Sequence, residues 1–203
     1  MDKKNLKFEN YWDPSWEEIH QKKEWGKYPS EFFVKFICSK FPKETRKNIK
    51  VLEIGFGAGA QIWFLSRENF QTYGIEGSST AVTRANCLLI AEGLSANLIC
   101  GDASVLPFEN NYFDVVVDVM CLMGIKENFV KNINKEIYRI TKPTGYFFSQ
   151  TMGANSSLDT GVKQIDSHTF FDDGLLKRPT LIRVLRSILK LYQNRPLFHQ
   201  LFT

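Results

Sequence analysis

The chain has 203 residues, 43% of them hydrophobic and 14% aromatic, enough for one well-buried core and short for two. Its formal net charge of +4 is mild and contains no long block of like charges, so charge alone gives no nucleic-acid footprint. Residues 1–10 are polar, the apolar run 115–125 is interrupted by Asp118, and the four cysteines are scattered without a CxxC or a histidine at ligand spacing. These features argue against a signal peptide, a membrane span, a zinc site and a disulfide framework, and they predict a soluble cytoplasmic protein with reduced thiols.

In chain order, residues 14–23 and 30–41 read as helices joined by "EWGKYP". The second places Phe32, Phe33, Phe36, Ile37 and Phe41 on one face, which requires an apolar surface to pack on. From residue 50 onward, short apolar runs alternate with segments of helical period, the pattern of βαβ units feeding a parallel sheet. Expected strands are 50–54, 72–76, 97–100, 113–119 and 146–150. Expected helices are 59–68, 79–92 and 127–140, with Ser78 or Ser79 as N-cap of the second and Gly93 as its stop. In "KPTGY", Pro143 and Gly145 turn the last of these helices into the fifth strand. Residues 151–174, rich in Gly, Ser, Asn and Asp, read as loop. A final helix over 180–193 puts Leu181, Ile182, Leu185, Ile188, Leu189 and Tyr192 opposite Arg183, Arg186 and Lys190.

The chemistry concentrates at "VLEIGFGAGAQ", where Gly55, Gly57 and Gly59 follow a strand and open a helix. Such a turn presents free backbone N–H groups at the carboxyl edge of a parallel sheet, where open α/β folds bind ligands. A nucleoside-like ligand is the expected occupant. Gly55, Gly57 and Ala60 also satisfy a dinucleotide pattern, with Glu76 about twenty residues on, so the glycines alone leave the ligand open.

The order of the surrounding motifs resembles the class I S-adenosylmethionine-dependent methyltransferases over residues 51–150. "VLEIGFGAG" is similar to the family's first motif, "YGIEGS" to its acidic ribose-binding strand end and "GDASVLPF" to its adenine-binding turn; "YFDVVVDV" and "EIYRITKPTGYFF" resemble its fourth strand and its last helix and fifth strand. The resemblance implies a Rossmann-like three-layer α/β sandwich: a mostly parallel sheet of at least five strands, helices on both faces and an N-terminal helical lid. Residues 1–203 then form one domain, with a helical cap over 1–49, a cofactor-binding core over 50–150, and a substrate-side loop and helix over 151–203. By the same resemblance the cofactor is S-adenosyl-L-methionine. Glu53, Gly55, Gly57 and Gly59 form its loop, Glu76 and Gly77 hold the ribose, Asp102 and the Ala103 N–H read adenine, and Asp118 lines the methionine end. Phe56 and Thr144 depart from the family's common pattern.

A sulfonium is an activated methyl donor with a neutral leaving group, so alignment of the acceptor supplies much of the catalysis. For an acceptor that must lose a proton, His168 and His20 are the candidate bases. Trp25 and Tyr28 are candidate lid residues, since rings beside Gly and Pro make rigid walls for a cationic or planar ligand. The expected acceptor is a small molecule, such as a sugar or other hydroxylated metabolite. Nucleic acid is disfavoured because "VDVMCLMG" lacks the Pro-Pro-aromatic tetrapeptide that stacks a flipped base.

Alternatives are a non-catalytic nucleoside-binding remnant of the fold and, without a Tyr-x-x-x-Lys pair, an NAD-dependent oxidoreductase. The family closes its sheet with an antiparallel hairpin that residues after 150 do not resemble; an uncovered sheet edge would favour homodimers or aggregation. The basic face of the last helix would suit an anionic membrane surface, although packing on the domain is the simpler account.

Overall fold

The computed structural model of the chain describes residues 13–125 and 127–151 and, beyond them, the strands Lys163–Asp166, Thr169–Asp172, Thr180–Arg183 and His199–Phe202. A parallel sheet is built from β1 (Lys50–Ile54), β2 (Gln71–Glu76), β3 (Asn97–Cys100), β4 (Phe113–Val119) and β5 (Thr141–Thr151), with β9 (His199–Phe202) on the far side of β5. The order is β3-β2-β1-β4-β5-β9. The chain therefore winds outward from β1 in one direction and resumes from β4 in the other, leaving a crevice at the carboxyl ends of β1 and β4.

Strand periodicity sorts the core into two layers. Val51, Val115, Val117 and Phe148 pack with Phe33, Phe36 and Ile37 of α2 (Glu31–Lys40) and Leu65 of α3 (Ala60–Arg67). Leu52, Ile54, Val116 and Phe147, one residue out of phase, pack with Val130, Ile133 and Ile137 of α5 (Glu127–Ile140). A sheet buried on both faces explains why these strands read as continuous apolar runs. The aromatic face expected for the second helix divides, with Phe33 and Phe36 in the core and Phe32 exposed. α4 (Ser79–Ala91) starts at Ser78, whose side chain accepts from the Ala81 N–H at 3.1 Å. It meets α3 through Phe56, Ile62, Ala85 and Leu89. The first helix, α1 (Ser15–Lys22), lies against α4.

Three expectations change. β5 begins before Pro143 and Gly145 rather than after them: Thr141 pairs with Phe113, Tyr146 with Val115, and the residues between bulge out of the ladder. The span expected to be loop contains β6 (Lys163–Asp166) and β7 (Thr169–Asp172), which pair antiparallel, and β8 (Thr180–Arg183) joins β7. "TFF" is a β-branched and aromatic run of strand type, masked by its polar flanks.

The expected helix over 180–193 gives way at its start to β8; a run as short as "TLIR" suits either period, and pairing with β7 decides it. Residues 184–193, with Arg186 and Lys190, lie outside the described residues. The edge of β5 is covered in part, because Phe148–Thr151 pair in parallel with His199–Phe202.

Candidate functional site

The three glycines of the β1–α3 turn all have positive φ, +63° at Gly55, +52° at Gly57 and +89° at Gly59, a region open to glycine at little cost. They serve different neighbours. A Cβ on Gly55 would collide with Cys121 Sγ, and one on Gly59 would stand 2.8 Å from the Ala85 Cβ. Gly55 thus admits the turn after β4, and Gly59 admits α4. Among the described residues, Gly57 has only the His20 ring near it, with Cε1 at 3.5 Å from the ideal Cβ, and is the member of the trio free to carry a ligand.

That turn borders a cavity of about 330 Å³ at the crevice between β1 and β4. Glu53, Gly55, Gly57, Glu76, Gly77, Asp102 and Ala103 all line it, so the sequence-predicted cofactor residues converge there. Gly59 and Asp118 stand behind the lining instead. Asp118, fully buried, accepts from the Cys121 and Leu122 N–H groups at 3.0 Å each and from Ser149 Oγ at 2.7 Å. It shapes the turn after β4 from beneath, and burial lifts its carboxyl to about 6 against the pull of those bonds.

Glu76, at the end of β2, accepts from the Gly57 N–H and the Ser78 N–H, both at 2.9 Å. One carboxylate therefore ties the glycine turn to the start of α4. Each oxygen keeps a lone pair for a hydroxyl from the cavity. Glu53 is buried in the cavity wall, and its Oε2 has no hydrogen-bond partner among the described residues. Burial, and then the charges of Glu76 and Asp118, push its carboxyl well above the usual range; burial raises Glu76 as well. Asp102 accepts from the Ser104 N–H at 2.7 Å, which fixes the turn after β3.

The N-terminal segment supplies Asp13, Trp16, His20, Trp25 and Gly26 to the same wall. His20 is buried between the rings of Trp16 and Trp25, at centroid distances of 6.2 and 5.9 Å, and its Nδ1 has no partner among the described residues. Burial, then the Arg84 charge, lower its pKa and hold the imidazole neutral at pH 7. Tyr28 is elsewhere: it is exposed and packs edge-on to Trp63 at 5.8 Å. His168 lies outside the described residues.

Sequence reasoning missed Asp13, Trp16, Met120 and Cys121, which also line the cavity. Met120 has φ +64°, a conformation that long side chains seldom adopt and that clusters at functional sites. Nothing in "VDVMCLMG" announces it.

Residues 52–149 match the family model described as a methyltransferase domain. The likeness extends to fold: a SAM-dependent methyltransferase of Methanosarcina mazei superposes with a TM-score of 0.64 at 19% identity, covering 81% of this chain and 82% of that one. Residues 52–149, just under half of the chain, are thus a methyltransferase domain. The PH0226 protein from Pyrococcus horikoshii has the same fold, with a TM-score of 0.60 at 20% identity over 80% of both chains.

Among curated proteins, the tRNA N(3)-methylcytidine methyltransferase trm140 of Schizosaccharomyces pombe is 26% identical over 71% of this chain and 50% of its own length. The ubiquinone/menaquinone biosynthesis C-methyltransferase UbiE of Neisseria gonorrhoeae is 33% identical over 49% of this chain and 41% of its own. The chain spans half or less of the length of these relatives.

S-adenosylmethionine is the cofactor this methyltransferase domain implies, and the residues present fit it. Its ammonium and sulfonium are cationic; the cavity is lined by Asp13, Glu53, Glu76 and Asp102 and, among the described residues, by no lysine or arginine. The unpartnered Glu53 oxygen is a buried polar atom of the kind a bound ligand satisfies.

Proposed function

We propose that this chain transfers a methyl group from S-adenosylmethionine to a small-molecule acceptor. The observation that carries the reading is the pair of carboxylates across the glycine turn, Glu76 bonded to Gly57 and Glu53 with an unsatisfied oxygen. When bound, the cofactor supplies an electrophilic methyl on a sulfonium whose departure leaves a neutral thioether.

The chain's own residues then bind and orient. Glu76 takes the ribose hydroxyls, Asp102 and the Ala103 N–H take the adenine edge, and Glu53 faces the amino-acid end. Trp16 and Trp25 wall the cavity from the N-terminal side. Holding the acceptor in line is worth several kcal/mol without a covalent step. The acid-lined wall favours neutral or cationic acceptors over phosphate-bearing ones.

A second reading, a tRNA acceptor, is favoured by the likeness to trm140 over 71% of the chain. The test is incubation of the purified chain with methyl-labelled cofactor and either total tRNA or a panel of small hydroxylated and quinol acceptors. Label on a small acceptor supports the proposal, and label on tRNA alone selects the second reading. Cofactor binding with no transfer to either would make the chain a nucleoside-binding module.

A further inference from the structure

The N-terminal helix is clasped to α4 near both of its ends, and the first clasp lies two residues from Glu76. Glu17, in the first turns of α1, accepts from Ser78 Oγ at 2.6 Å, from the Thr80 N–H at 3.3 Å and from Thr80 Oγ1. These groups form the N-terminus of α4, where free N–H groups and the helix dipole favour a carboxylate. Burial opposes the Glu17 charge, but the Ser78 and Thr80 bonds outweigh it and bring the carboxyl down to about 2.

At the other end of α1, Arg84 of α4 donates to the Lys23 carbonyl at 2.5 Å and to the Gln21 carbonyl at 3.4 Å. Each helix thus supplies a charged side chain to a terminus of the other. Between these two clasps lies His20, buried over Gly57 with an unpartnered Nδ1.

A buried imidazole nitrogen without a partner costs stability. The fold nevertheless holds the ring against the one glycine of the turn that is free to carry a ligand, with Cε1 at 3.5 Å and Nε2 at 3.9 Å from the ideal Gly57 Cβ. Resting on the cofactor reading above, we propose that α1 is a clasped wall of the cofactor site, in which Glu17 is a positioning residue that holds His20 as a hydrogen-bond partner for the nucleoside ligand seated on Gly57. His20 then acts in binding rather than as the base that deprotonates the acceptor. Ser78 is shared by the clasp and by the turn that Glu76 fixes, since its Oγ donates to Glu17 and its N–H to Glu76. Filling the ribose site and closing α1 are mechanically linked through it.

The experiment is calorimetric titration with S-adenosylhomocysteine, which binds without reacting, on the wild-type chain and on the variants His20→Ala, Glu17→Ala, Glu17→Gln and Glu17→Ala/His20→Ala, with amide hydrogen exchange on each. The two alanine variants are expected to weaken binding about tenfold or more, and their double variant to be little weaker than either alone, because both act through one contact. Glu17→Ala should strip protection from residues 15–22 while β1, β4 and α5 keep theirs. Glu17→Gln, which retains an acceptor for the Thr80 N–H, should recover part of the affinity.

Wild-type binding with His20→Ala unchanged within twofold overturns this proposal alone, as does a Glu17→Ala variant whose whole sheet loses protection. A wild-type chain that binds no S-adenosylhomocysteine contradicts the cofactor reading and this proposal with it.

Discussion

At the scale of single residues, the site is defined by carboxyls that burial raises above their ordinary range. Glu53 is buried with its carboxyl raised by desolvation and by the neighbouring charges of Glu76 and Asp118. A ligand ammonium beside it would restore the ionised form, so binding of S-adenosylmethionine near neutral pH should release protons and tighten as pH rises. Calorimetry in two buffers of different ionisation enthalpy measures this directly, and buffer-independent heats would count against it.

Asp118 makes a second pH prediction. Its folded pKa lies near 6 against an ordinary 3.8, so its contribution to stability is full below about 3.8 and is lost as pH rises through about 6. At 1.36 kcal/mol per unit this is on the order of 3 kcal/mol. Asp118→Asn keeps acceptors for the Cys121 and Leu122 N–H groups, and its urea-unfolding free energy should fall less between pH 4 and 7 than that of the wild type. That Glu76 and Asp102 border the cavity was legible because acids at successive strand ends, in a set order behind a glycine turn, are hard to account for as solvated turn residues. Glu17 was not, since its role comes from an N-terminus sixty-one residues away that only the fold brings near.

At the scale of elements, close approach explains more of the glycine turn than ligand contact does. Gly59→Ala adds a Cβ 2.8 Å from Ala85 at a φ of +89°, combining backbone strain with overpacking between α3 and α4. The expected loss is about 2–4 kcal/mol, read as a lowered denaturant midpoint with an unchanged slope. Gly57→Ala, with nothing nearer than 3.5 Å, should cost less stability and more ligand affinity.

β1, β4 and α5 were readable to the residue because strands buried on both faces and a long amphipathic helix give unbroken patterns. β6, β7 and β8 were hidden for the opposite reason. Each spans four residues, too few for a period to declare itself, and their pairing partners are set by tertiary contact.

At the scale of the whole molecule, the fold places its ligand crevice where the strand order reverses and covers the outer part of β5 with β9. A chain ending at residue 195 would expose the unpaired groups of Phe148–Thr151, a template for strand addition. Light scattering should then show dimers or larger species at concentrations where the full chain is monomeric; a truncated chain that stays monomeric would show that β9 is not needed to protect this edge. Class of fold and position of the pocket were legible from the motif order. The acceptor was not, because the walls facing it come from Asp13, Trp16, Trp25 and the turn at Met120, residues united by the fold and by no motif.

The central claim, that the carboxylates around the glycine turn hold S-adenosylmethionine, is tested most directly by calorimetric titration of the chain and its Glu76→Ala variant with S-adenosylmethionine and with NAD. Loss of charge-assisted bonds at about 1.5–3 kcal/mol each predicts tight binding of the sulfonium nucleoside by the wild type, at least a tenfold loss in the variant, and no NAD binding. Binding of NAD alone, or S-adenosylmethionine affinity that is indifferent to Glu76, would contradict the account.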